Sequence, residues 1–476
     1  MKYPQIIQGG MGVGVSCWQL AKAISSIGQL GVVSGTVMDV VLARRLQLGD
    51  EGGHIRRALK SFPFPEVAER ILDRYFIEGG KSPGKAYRAT PMHTAPETVE
   101  SLELVVVANF AEVFLAKEGH SGVVGINLLE KVQLPTLPSL YGAMLAGVDF
   151  VLMGAGIPRE IPGALDRLSQ HQETSLNLHV EETDSGDDFK LRFDPKQLSA
   201  KTPPKLKRPD FLAIIASVTL ALALLKKANG KINGFVIEYP IAGGHNAPPR
   251  GALQLTETGE PVYGARDDVD LQKIRALDVP FWLAGGYGHH DRFKFALEAG
   301  AVGIQVGTAF ALCNESGLTQ EIKSRVLELI REGKAKVFTD PIASPTGFPF
   351  KVVQLDGTTS EAEVYEARTR ICDLGYLRHI YKKQDGSLGY RCPAGPVTPY
   401  LAAGGAAEET KGRKCLCNGL ISAIGLGQVR AKKTPEPQIV TTGDELLSLK
   451  RFIPTGKDSY TAVEVIEDLL GQQVSK

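Results

Sequence analysis

The chain carries almost no net charge: 54 lysines and arginines against 53 aspartates and glutamates leave +1 over 476 residues. That balance removes the electrostatic reason to expect nucleic acid or an anionic membrane as the main partner. A membrane-length apolar run is missing too. The longest, Phe211–Leu225, is interrupted by Ser217 and Thr219 and stops at Lys226-Lys227, whereas a spanning helix needs about 20 apolar residues. Cysteine is scarce, at 6 unevenly placed residues, so a disulfide scaffold is excluded and a reducing compartment is expected. The opening Met1-Lys2-Tyr3-Pro4 reaches Gly9 without a signal-peptide core. No tandem repeat or low-complexity tract interrupts the chain. A soluble, cytoplasmic protein is expected, with a small molecule as partner.

What the chain does have is apolar residue in quantity, 43%, enough to fill a large core. Eight short apolar runs recur through the first 310 residues, most followed by a polar or glycine-rich turn and a helical pattern. They are Ile6–Gln8, Leu30–Ser34, Val123–Asn127, Phe150–Met153, Phe211–Ala216, Phe235–Glu238, Phe281–Ala284 and Val302–Val306. Continuous apolar strands belong to a parallel sheet covered on both faces. Eight of them alternating with helices predict an α/β fold, the (β/α)8 TIM barrel. The domain reading is a barrel over 1–340 with a C-terminal extension, 341–476, packing on it. A helical insertion occupies 49–102, and a β-hairpin signature occupies 175–194. The extension reads as mainly helical and irregular, with a Pro/Gly-rich crossing over 341–349, a charged amphipathic helix over 361–383 and a last helix over 462–470.

Barrel ligands sit over the C-terminal strand ends, and phosphate is commonly held after strands seven and eight. Strand seven runs into Gly285 and Gly286; strand eight carries Gln305 and runs into Gly307 and Thr308. Consecutive glycine amides make an anion nest, and a threonine opening a short helix adds a hydroxyl and a helix N-terminus. Each loop alone would be a tight turn; paired at the last two strands, they favour phosphate. After strand six, Gly243 and Gly244 permit a flat ligand, and His245 has a reference pKa of ~6.5 that suits proton transfer. Arg250 reads equally well as an anion partner or a solvated loop charge. Gly10 and Met11 in the first loop could floor a planar ring, and Asn127 ends an apolar strand with a polar group.

Five segments in order resemble the nitronate monooxygenase (2-nitropropane dioxygenase) family, FMN-dependent TIM barrels. They are Pro4–Met11, Gly125–Leu129, Ala242–His245, Ala284–Gly286 and Gln305–Phe310. The resemblance implies a flavoprotein with the FMN phosphate at Gly285, Gly286, Gly307 and Thr308. The flavin would lie near Gly10, Met11, Asn127 and Gln305, with Ser217 facing it and Gly243 and Gly244 beside the active-site His245. It implies an oxidoreductase that oxidises alkyl nitronates with O2, using a histidine base. The framework also resembles flavin-dependent enoyl-ACP reductases, in which NAD(P)H reduces FMN and an enoyl thioester accepts hydride. A non-catalytic phosphate-binding assembly protein is the reading from another class, and a homodimer is compatible with any of these. The tail Asn246–Arg250 departs from the family pattern, as do both insertions and the extension. Cys372, Cys392, Cys415 and Cys417 all fall in the extension; their spacing fits no common zinc or iron–sulfur pattern, so they read as buried structural thiols, and no metal is assigned. Cys17 and Cys313 read as core positions.

Overall fold

The computed structural model describes residues 3–199, 203–430 and 435–472. Eight strands close a barrel in sequence order: β1 (Ile6–Gln8), β2 (Leu30–Ser34), β3 (Val124–Leu129), β4 (Phe150–Gly154), β5 (Asp210–Ile215), β6 (Gly234–Glu238), β7 (Phe281–Ala284) and β8 (Gly303–Val306). Every neighbouring pair is parallel, and β1 seals the ring against β8 with Ile7 opposite Gln305.

Alternation along the strands sorts the apolar residues between two cores. Val32, Leu152, Leu212, Val236 and Trp282 meet inside the barrel. Val33, Val151, Phe211, Phe235 and Phe281 point outward and pack with the surrounding helices. This two-sided burial is why the strands read as unbroken apolar runs. Trp282 closes the N-terminal end of the barrel, its indole N–H donating to Pro4 O at 2.9 Å. The C-terminal end holds the candidate functional groups.

The helical insertion is present as helices at His54–Leu59 and Pro65–Tyr75, leading into the long Val99–Lys117. The hairpin forms between Thr174–Asn177 and Lys190–Phe193. Between its arms, Val180–Glu181 adds a parallel strand to a hairpin of the extension made by His379–Lys382 and Leu388–Arg391.

The extension differs from expectation in kind. It holds strands as well as helices, and the crossing over 341–349 is the loop of an antiparallel pair, Val337–Asp340 with Phe350–Val353. The charged helix over 361–383 forms only at Ala362–Ala367. Its charges are drawn into separate tertiary contacts: Arg368 to Glu436, Arg370 to Thr410 O, and Asp373 to Arg430. Gly375 then takes a left-handed φ of 71°. Partners on other loops outweigh a propensity worth tenths of a kcal/mol per residue. The last helix, Ala462–Leu470, forms over the expected residues. No described helix is long and apolar enough to cross a membrane.

Candidate active site

A cavity of about 210 Å³ opens over the C-terminal ends of the barrel strands. Gly10, Met11, Asn127, Gly243, Gly244, His245, Gly285, Gly286, Gln305, Gly307 and Thr308 all line it. The first loop is pressed against β3: a side chain at Gly10 would place its Cβ 2.2 Å from Asn127 Cβ. Gly285 and Gly286 take φ of 81° and 84°, the left-handed region where glycine carries no steric penalty. Thr308 opens the short helix Thr308–Ala311.

Two amide side chains in this lining are incompletely satisfied. The Asn127 Oδ1 and Gln305 Oε1 atoms are buried without a hydrogen-bond partner among the described residues. Such groups are costly unless a ligand or water meets them.

Ser217 does not join the lining. Its hydroxyl turns onto the backbone, accepting from Leu220 N–H at 3.1 Å, and caps the helix Val218–Lys227. An N-cap hydroxyl satisfies an otherwise orphaned helix amide, and that local demand fixes the side chain. Arg250 is likewise a loop brace, donating to the carbonyls of Arg266 and Ala216.

His245 is held from outside the barrel. Its Nε2 lies 2.7 Å from Ser344 Oγ, and its ring meets Phe350 edge-on at 4.8 Å. Both partners belong to the 337–353 hairpin, which also pairs its backbone with the histidine loop through Lys351 N–H to Gly244 O at 3.0 Å. Burial lowers the imidazole to about 4, so it is neutral at pH 7.

Three contributions escaped the sequence reading. The first is Glu238, which ends β6 and lines the cavity. Two residues after the inward-facing Val236, it faces the barrel mouth, and burial alone raises its carboxyl to about 7. An acidic residue closing an apolar strand was the available signal. The second is the Thr441–Gly443 segment, whose Gly443 N–H donates to Thr308 Oγ1 at 2.8 Å and whose Thr441 Oγ1 accepts from Gly244 N–H at 3.0 Å. Glu445 follows, and its carboxylate lies beside Gly288. The third is Tyr376, in the cavity wall. Its hydroxyl donates to Asp39, which His93 Nε2 meets at 3.3 Å; His93 Nδ1 lies 3.0 Å from Glu97. Burial would lower His93, but the two carboxylates outweigh it and raise the imidazole to about 9. Nothing in the local sequence ties these four residues together.

With this geometry in place, the comparisons with known proteins divide the chain. Residues 198–340 match the nitronate monooxygenase family model. Over that stretch the chain is similar to the nitronate monooxygenase family. The matched segment contains β5 to β8, the histidine loop and both glycine loops after β7 and β8. It stops short of Gly10 and Asn127 on one side and of the extension on the other. A protein of Bacillus subtilis strain 168 named "Probable nitronate monooxygenase" is 36% identical over 124 residues, 26% of this chain and 34% of that protein. The match thus spans about a third of the length of the curated relative. Among solved structures, FabK from Thermotoga maritima shares 15% identity at a TM-score of 0.48, covering 99% of this chain and 92% of its own. A nitroalkane oxidase from Streptomyces ansochromogenes shares 14% at 0.47, covering 98% and 95%. Overlays this loose say nothing about activity.

Proposed function

We propose that the chain is an FMN-dependent oxidoreductase of the nitronate monooxygenase type, acting on alkyl nitronates and their parent nitroalkanes. The observation that carries this reading is one cavity joining His245 to the glycine loops after β7 and β8, inside the family segment. The lining suits a flat mononucleotide on two counts: a first loop with no room for a side chain at Gly10, and two buried amide oxygens awaiting donors at Asn127 and Gln305.

The phosphate would be held by the amides of Gly285, Gly286 and Gly307 and the hydroxyl of Thr308. Gly10, Met11, Asn127, Gln305, Gly243 and Gly244 would hold the ring system. When bound, FMN supplies the electron acceptor. His245 receives the proton α to the nitro group. Its neutral form is available across the physiological range because burial opposes the charge, and Ser344 at 2.7 Å keeps the ring aimed. Phe350 and the extension residues Leu377, Leu416 and Leu420 give the same cavity an apolar wall.

Anaerobic addition of substrate to the purified yellow protein tests the reading. An alkyl nitronate is expected to bleach the flavin absorbance, and NADPH to leave it unchanged. Bleaching by NADPH followed by recovery with an enoyl thioester overturns it in favour of the reductase. A colourless protein that takes up no FMN overturns both.

A further inference from the structure

The four cysteines of the extension, scattered over 46 residues of sequence, come together. Cys372, Cys392, Cys415 and Cys417 line one small cavity of about 10 Å³, room for a single atom or ion. The objection from spacing weakens here, and the helix expected over 361–383 stops short of Cys372. Cys372 lies beyond the end of the helix at Ala367, in a loop, and the fold supplies the proximity that the spacing does not. None of the four is in a disulfide.

The sulfurs are also dressed as ligands are. The backbone N–H groups of Gly375, Asn418 and the Tyr376–Leu377 pair lie beside Cys372, Cys415 and Cys417 respectively. Asn418 adds a side-chain donor to Cys415 Sγ at 3.5 Å. Cys372 and Cys392 are neighbours across the cavity. Amide groups beside sulfur orient it, the outer-shell role found in metal–thiolate sites. The positive charges of Arg378 and Arg368 act on Cys372 and Cys415, which suits a site whose ligands carry more negative charge than the ion neutralises.

We infer that Cys372, Cys392, Cys415 and Cys417 form a binding site for one zinc ion. Zn²⁺ replaces four thiol protons, giving a tetrathiolate complex of net charge −2 and four released protons, with no oxidation or reduction. Zinc prefers four tetrahedral ligands at about 2.3 Å, and a site closed by four protein ligands is structural. As the side chains stand, no three such groups among the described residues are arranged to hold a metal; ligation includes a turn of the thiols toward the cavity centre. A multi-iron cluster would need far more room than a single atom takes. Cys417 also lines the large cavity, and Tyr376 and Leu377 stand in its wall. The ion would therefore rivet three loops of the extension behind the active-site wall, without touching substrate.

Elemental analysis of the full-length protein, purified without chelators, tests the site independently of flavin content. One equivalent of zinc per chain is expected, lost in C392S and C415S, whose side chains lie off the large cavity. Titrating the native protein with a mercurial in the presence of a zinc-sensing dye covers the case in which the variants fail to fold; it should release one equivalent. Cobalt(II) in place of zinc should give intense sulfur-to-metal absorption. Absence of stoichiometric zinc together with no cobalt uptake overturns the inference. Zinc retained in C392S overturns it as well, and so does iron with acid-labile sulfide.

Discussion

The role proposed for His245 sets two demands: the ring must stay neutral and must stay aimed. Burial meets the first, lowering its pKa to about 4, and Ser344 meets the second. Replacing it with asparagine should leave FMN bound and lower turnover of neutral nitroalkanes by about 100-fold or more, the usual worth of a general base. Preformed nitronates, which need no deprotonation, should turn over nearly as before. Steady-state rates on both substrate forms, alongside flavin absorbance, check this. Glu238 and His93 titrate in ways that reach stability. The carboxyl of Glu238 is raised from 4.5 to about 7, so the folded state binds the extra proton and stability falls as pH rises through that window. E238Q should flatten the melting temperature between pH 4.5 and 7. His93 is raised from 6.5 to about 9, so its contribution is complete below pH 6.5 and disappears as pH rises through 9. That loss is on the order of 3 kcal/mol and should be seen as an alkaline decline in melting temperature that H93N lacks.

The elements show what a sequence carries locally and what it does not. All eight barrel strands were legible within a residue or two, because burial on both faces writes itself as an apolar run. The glycine loops and Asn127 were legible because strand ends place their next residues over the barrel mouth. Ser217 was misplaced: the residue after β5 does face the mouth in position, but the start of the following helix claims its hydroxyl. S217A should therefore cost about 1 kcal/mol of stability, the ordinary worth of an N-cap, and leave flavin affinity unchanged; thermal melts and flavin titration separate the two outcomes. The charged segment 361–383 misled because its charge spacing fits a helix, whereas its partners lie on Pro393, Thr410, Arg430 and Glu436, far along the chain. Ser344 was invisible for the same reason: one hydroxyl in a Pro/Gly stretch has no local mark of the imidazole it meets 99 residues away.

Across the whole molecule, barrel and extension share one cavity, and buried charge holds the extension to itself and to the barrel. Arg368 and Arg430 converge on Glu436, whose side chain is 1% exposed. Removing one member of such a network leaves an uncompensated buried charge and costs about 3–5 kcal/mol. E436A should therefore unfold at markedly lower denaturant concentration, read as a lower midpoint in urea. Arg44, on a helix of the barrel, donates to Leu426 O in the extension, a further tie between the two parts.

The hydroxyl that steadies His245 is supplied by residue 344, after the last barrel strand has left the ribosome. A nascent chain can close its ring of eight strands with that imidazole still unsteadied. Catalytic competence during synthesis should therefore trail completion of the barrel, arriving only when the segments carrying Ser344, Tyr376 and Gly443 have emerged and docked.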